Sequence, residues 1–310
     1  MNAMRLTCRR SGRCGSILAV ILTIAGPAPV RAEEPPGRNQ GLPTPSITGG
    51  QLPLPSTQGE TALSLTALLA GSDRALRSGL TWRIYEDRSD AGRPAIVARS
   101  TDADPRFSLA PGAYVATVTY GFASASRRIV VSGAAMTEQV RINAGALRLS
   151  GAIGDVRIAP ADLAFSIFVP IGANSEGRLV RSAVKAGDLI RLPEGTYHVV
   201  STYGESNAIQ RADLKVDVGK VTDATLNHRA ATVTLKLVAA PGAEAFAGTA
   251  FSVLTPGGDT IREAIGAFPA VTLAEGDYVL IARHDGQVYT REFKVESGLN
   301  RDIEVLAKAG

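Results

Sequence analysis

The sequence predicts an all-β fold: three tandem β-sandwich domains after a signal peptide and a proline-rich linker. Three observations carry this. A frame L-x-x-G-x-Y recurs as Leu109–Tyr114, Leu192–Tyr197 and Leu273–Tyr278. Its glycines stand 83 positions apart from Gly112 to Gly195 and 81 apart from Gly195 to Gly276. A period near 80 marks whole domains in tandem, not a solenoid of short units. Each frame also opens an alternating apolar run that ends at a turn signal: Tyr120-Gly121, Tyr203-Gly204 or His284-Asp285-Gly286.

Glycine two residues before tyrosine suits a tight corner, because it tolerates backbone angles that a side chain forbids. The tyrosine then starts a strand. Period-two reading places Tyr114, Ala116 and Val118 on an inward face. The same phase gives Tyr197 and Val199 in the second copy and Tyr278, Leu280 and Ala282 in the third. In β-sandwiches of the immunoglobulin type, which this frame resembles, a tyrosine so placed packs its ring in the core and bonds its hydroxyl to backbone a few residues upstream.

The repeats resemble seven-stranded sandwich modules of the carboxypeptidase regulatory-like (transthyretin-like, prealbumin-like) and bacterial Ig-like kind. Antibody domains carry a cysteine two residues after the corner tyrosine. Ala116, Val199 and Leu280 stand there instead, so no inter-sheet disulfide is available. The resemblance implies an accessory, spacer or binding role, although a fold alone does not fix a function.

The N-terminus reads as a signal peptide, residues 1–32. Arg5, Arg9, Arg10 and Arg13 form a positive head, and Ile17–Ile24 an apolar core too short for a comfortable membrane span. Val30-Arg31-Ala32 places the cut after Ala32, with an uncleaved anchor as the alternative. The residues after Arg9-Arg10 do not fit a twin-arginine signal, and Cys14 precedes the apolar core, where lipid attachment does not occur. The leader holds five of the 33 basic residues and no acidic one. The remainder has 28 basic against 29 acidic side chains, so nothing draws nucleic acid over the whole surface. Both cysteines, Cys8 and Cys14, leave with the leader, and disulfide and thiolate chemistry go with them. The expected location is periplasmic or extracellular, with no membrane span after cleavage.

Residues 33–60, with Pro35, Pro36, Pro43, Pro45, Pro53 and Pro55, read as an extended or disordered linker; a proline-rich recognition segment is the sharper alternative. The first sandwich is placed at 61–145. Leu63 and Leu65 open it, with some helical look over Leu63–Leu69. Trp82 and Ile84 share a face, Asp90-Ala91-Gly92 turns, and Val140 and Ile142 close the unit. The second, 146–230, repeats this with Leu147 and Leu149, Phe165 and Ile167, Leu214 and Val216, then Ala224 and Leu226. The third, 231–310, uses Val233, Leu235 and Leu237, Phe251 and Val253, a Gly257-Gly258-Asp259 turn, Phe293 and Val295, then Ile303 and Val305. Trp82 invites a sugar-stacking reading, but Phe165 and Phe251 fill the same slot, which argues for core.

Catalytic equipment is sparse. His198, His228 and His284 are dispersed without metal-ligand spacing. No nucleophile elbow, S-x-x-K set, Walker loop or dinucleotide fingerprint survives inspection. Asp102-x-Asp104 offers two oxygens but no further calcium ligands, and reads as a loop cap. Glu86-Asp87 reads as a solvated loop pair. No catalytic, cofactor-binding or metal residue is therefore assigned. The favoured function is a non-enzymatic envelope module binding another envelope protein through sandwich loops or edges, with loops 86–94, 170–178 and 255–260 as candidate contacts. Two other classes stand beside it: a glycan- or ligand-binding envelope module, and a carboxylate-dependent hydrolase with a site between repeats.

Overall fold

The computed structural model describes residues 59–88 and 95–307. The signal segment, all of the linker before Gly59 and the Asp90–Gly92 turn lie outside the described residues. The three sandwiches belong to one compact unit, Ser56–Gly310.

The first sandwich has seven strands: β1 (Thr61–Leu69), β2 (Leu80–Glu86), β3 (Ile96–Ser100), β4 (Arg106–Leu109), β5 (Gly112–Tyr120), β6 (Ala123–Val131) and β7 (Met136–Ile142). The segment with a helical look, Leu63–Leu69, is strand throughout: Leu63, Leu65 and Ala67 are fully buried on one face while Ser64 and Thr66 alternate outward. Period two wins because this face closes the core. β1 pairs antiparallel with β4 and parallel with β7, making a three-stranded sheet ordered β4-β1-β7. The facing sheet is ordered β3-β2-β5-β6.

The same plan repeats. The second sandwich comprises β8 (Ala144–Ile153), the two-residue β9 (Val156–Arg157), β10 (Leu163–Ile171), β11 (Asn174–Val184), β12 (Leu189–Pro193), β13 (Gly195–Tyr203), β14 (Ile209–Val216) and β15 (Val221–Asn227). Its sheets are β12-β8-β15 and β11-β10-β13-β14, with β9 added beside β8. The third comprises β16 (Ala230–Val238), β17 (Ala250–Leu254), β18 (Thr260–Ile265), β19 (Ala270–Ala274), β20 (Gly276–His284), β21 (Gln287–Val295) and β22 (Arg301–Leu306). Its sheets are β19-β16-β22 and β18-β17-β20-β21.

Three separate apolar cores fill the spaces between the sheet pairs. Trp82, Phe165 and Phe251 occupy one equivalent slot, at 0, 0 and 1% exposure. Burying such a side chain stabilises by about 1.5–3 kcal/mol, so this row anchors each core. The Trp82 indole N–H is buried without a partner among the described residues, which further fits a space-filling role.

The cores abut closely along the chain. Asn143 alone separates β7 from β8, and His228-Arg229 alone separate β15 from β16. Linkers this short force the end of one sandwich against the start of the next.

Candidate functional site: corners and junctions

Each corner tyrosine closes its own turn. The hydroxyls of Tyr114, Tyr197 and Tyr278 donate to the carbonyls of Ala110, Pro193 and Ala274, at 2.9, 2.9 and 2.8 Å. All three rings are buried. Gly195 and Gly276 have φ of 156° and 155°, and Gly112 lies under its own tyrosine ring, 3.5 Å from where a Cβ would be. Desolvation raises the pKa of the Tyr197 hydroxyl, opposed by the positive charge of Arg178. Desolvation also raises that of Tyr278, opposed by a hydrogen bond from Asn207.

The corners of the second and third sandwiches face the hairpin end of the sandwich before them. The β5–β6 hairpin of the first meets β12 of the second: the Phe122 N–H donates to the Arg191 carbonyl at 3.0 Å. The Arg191 guanidinium lies over the Tyr120 ring, 4.7 Å from its centroid. A Cβ on Gly121 would fall 2.7 Å from Arg191 Cβ and 2.8 Å from its carbonyl oxygen, so only glycine permits this approach. At the second junction, the loop after β13 meets β19 of the third sandwich. A Cβ on Gly204 would lie 2.7 Å from Thr272 Cβ. Asn207 then reaches into the corner itself. Its Nδ2 donates to the Tyr278 hydroxyl at 2.8 Å, and its Oδ1 accepts from the Ala274 N–H at 3.0 Å. Arg262 and Glu205 add an ion pair at 2.6 Å.

The histidines divide three ways. His198 lies on the face opposite Tyr197, as its phase predicts, yet is only 7% exposed. Its Nδ1 meets Asp213 Oδ1 at 2.7 Å, and its Nε2 is buried without a partner among the described residues. His228, 2% exposed, sits at the second junction with Nε2 2.8 Å from Ser201 Oγ. Desolvation lowers its pKa, opposed by a hydrogen bond to the Ala208 backbone. Ser201 Oγ and His228 Nε2 share one hydrogen bond, whose donor is set by the imidazole tautomer. The pair has the atoms of a nucleophile and base, but Ser201 is fully buried. His284 stacks on Phe246 at 5.2 Å beside the last hairpin. The structure brings no two histidines together, and no group of three or more His, Cys, Asp or Glu side chains fit to hold a metal occurs among the described residues.

The remaining candidates resolve locally. Asp104 pairs with Arg77 at 2.8 Å and accepts from Thr66, while Asp102 accepts from Ser100, so the two cap their loop. Glu86 pairs with Arg88 and Asp87 with Arg128. Of the candidate loops, 86–94 is described only to Arg88. The 170–178 segment is a hairpin turning at Gly172-Ala173, and Thr255 and Asp259 lock the 255–260 turn through mutual hydrogen bonds. A cleft of about 410 Å³ at the second junction is lined by Ile209, Gln210, His228, Arg229 and Glu275. The carboxylates at this junction are held by arginines: Glu275 by Arg229 at 2.8 Å and Glu205 by Arg262.

Sequence reasoning finds the corners and misses Asn207, Arg191 and Ser201. The corner repeats three times; the others act once each, and Asn207 contacts a residue 71 positions away.

Residues 232–307, within the third sandwich, match the family model described as the Rhizobiales growth-associated tandem repeat domain. No curated protein matches the chain. Among solved structures, the Bacillus anthracis TIE protein is similar over 81% of this chain, at 13% identity and a TM-score of 0.25; the chain spans about half of that protein (50%). A Streptococcal ancillary pilin is similar over 81% of this chain and 100% of its own, at 12% identity and a TM-score of 0.29. GBS52, the minor pilin of Streptococcus agalactiae, is similar over 54% of this chain and 95% of its own, at 13% identity and a TM-score of 0.27. No helix among the described residues is long and apolar enough to cross a membrane.

Proposed function

We propose that this chain is an exported, non-enzymatic β-sandwich array serving as a structural or protein-binding module of the cell envelope. The supporting observation is the construction of the junctions. Polar groups there join one sandwich to the next: Asn207 on the Tyr278 corner, the Arg191 carbonyl on the first hairpin, Glu205 and Glu275 on arginines. Such ends fix the orientation of neighbouring sandwiches and leave their faces, edges and loops for partners. The reading includes a signal cut after Ala32, a linker over 33–60 and sandwiches at 61–145, 146–230 and 231–310. The closer resemblance to carboxypeptidase regulatory-like modules belongs to the same proposal. The tandem-repeat match of residues 232–307 supports the repeat organisation of the array, not that closer resemblance.

The test is export followed by cross-linking in intact cells. The expected result is a chain beginning at Glu33 outside the cytoplasm, cross-linked to an envelope protein through positions in the 170–178 hairpin. Cytoplasmic retention with an intact leader would overturn the reading. Export without any cross-linked partner would reduce it to a spacer.

A further inference from the structure

The outer face of the first sandwich carries a feature that the fold does not require. Arg83 on β2 lies directly opposite Arg99 on β3. The two flanking β2 residues, Trp82 and Ile84, are fully buried, so Arg83 points away from the core. Neither guanidinium has an ion pair or hydrogen bond among the described residues. Like charges directly opposite one another across two strands are destabilising. The other sandwiches avoid the arrangement: Ser166 and Ser252 occupy the position of Arg83, and Ser252 lies opposite Glu263.

The row continues across the sheet. Arg83 is opposite Thr117 on β5, and Thr117 is opposite Ser126 on β6, with the two hydroxyl oxygens 3.0 Å apart. Two cations and two hydroxyls thus line up across four strands, over about 14 Å by inter-strand spacing. One step along the same face stand Tyr85, half-buried, and Ile96, 43% exposed, opposite each other. Arg128, next to Val115 on that neighbouring row, is already paired with Asp87.

We propose that this face binds the acidic groups of an anionic glycan, with Arg83 and Arg99 as a paired clamp and Thr117 and Ser126 as hydroxyl partners. Paired guanidiniums present planar donor forks that match carboxylate and sulfate oxygens. Hydroxyls in line with them suit a chain that carries its own hydroxyls. The half-buried Tyr85 ring beside them offers an apolar surface for a sugar face. The direction of the row favours a glycan over a peptide. An extended peptide would add along the edge of β3, parallel to the strands, and would not reach Thr117 or Ser126. A ligand touching all four positions must lie across the strands.

Uronate carboxylates and sulfate esters share this chemistry, and the probes distinguish them. The exported chain would be tested at low salt for binding to polygalacturonate, dextran sulfate, neutral dextran and polyglutamate. At least one acidic polysaccharide should bind, neutral dextran should not, and added salt should weaken the interaction. The R83Q/R99Q variant should lose affinity by about tenfold or more. R83K/R99K keeps the charge without the fork and should fall between them. R211Q, on the second sandwich, should bind as the parent does. Thermal melts of each variant report folding, and R83K/R99K serves if the glutamine variant is unstable. Absence of binding to both acidic polysaccharides, or parental affinity in folded R83Q/R99Q or R83K/R99K, would overturn the proposal. Polyglutamate bound as tightly as either polysaccharide would overturn it in favour of an acidic peptide partner.

Discussion

The two junctions dock the same part of one sandwich on the same strand of the next, but through different chemistry. The first relies on a backbone hydrogen bond from Phe122 to the Arg191 carbonyl and on Arg191 covering Tyr120. The second inserts the Asn207 side chain into the Tyr278 corner, where it gives one hydrogen bond and takes another. Close approach needs a glycine in both, Gly121 and Gly204, with φ of 64° and 70°. The lesson is that backbone proximity is the common element, while the side chain that uses it can differ from one junction to the next.

The largest expected effect comes from filling the glycine sites. Gly121→Ala forces a Cβ against both Arg191 Cβ and its carbonyl, in a left-handed conformation, and should cost roughly 2–4 kcal/mol. Gly204→Ala meets only the Thr272 side chain and should cost less, about 1–3 kcal/mol. Denaturant midpoints measure both. A larger loss in Gly204→Ala would break the view that the first junction depends more on backbone contact.

An intermediate effect separates the corners. Tyr197→Phe removes one hydrogen bond, to Pro193, and should cost about 1 kcal/mol. Tyr278→Phe strands both the Ala274 carbonyl and the Asn207 amide, and should cost about 1–3 kcal/mol. Asn207→Ala combined with Tyr278→Phe should cost less than the two singles together, because they share a bond. Equal losses in the two tyrosine variants would show that Asn207 adds nothing to the corner.

The smallest effect is in pH. An unfolded imidazole takes its proton near pH 6.5, whereas buried His228 takes one only at lower pH. The unfolded state therefore gains protons first, and stability falls as pH drops below 6.5. His228→Gln should flatten the melting-temperature profile across that window. An unchanged slope would place the source of acid sensitivity elsewhere.

What could be read from sequence followed from repetition. Tyr114, Tyr197 and Tyr278 share a frame, and their hydroxyl bonds and buried rings stand where that frame puts them. Trp82 was recognisable as core only because Phe165 and Phe251 fill its slot. Junction residues lacked that support. Asn207 and Arg191 occur in one copy each and contact groups far along the chain, so no local pattern announces them. The burial of His198 was hidden for another reason: alternation assigns a face of the sheet but not the coverage of that face. Its neighbour Asp213 becomes visible only once strand register is known.

The pairing of first with last strand sets how each sandwich would respond to tension along the chain. β1 and β7 run side by side in the same direction, in register from Leu63↔Met136 to Leu69↔Ile142. β8 with β15 and β16 with β22 do the same. Tension along the polypeptide would draw the start of the first strand and the end of the last in opposite directions. The whole ladder between them would then be sheared at once, instead of being unzipped bond by bond.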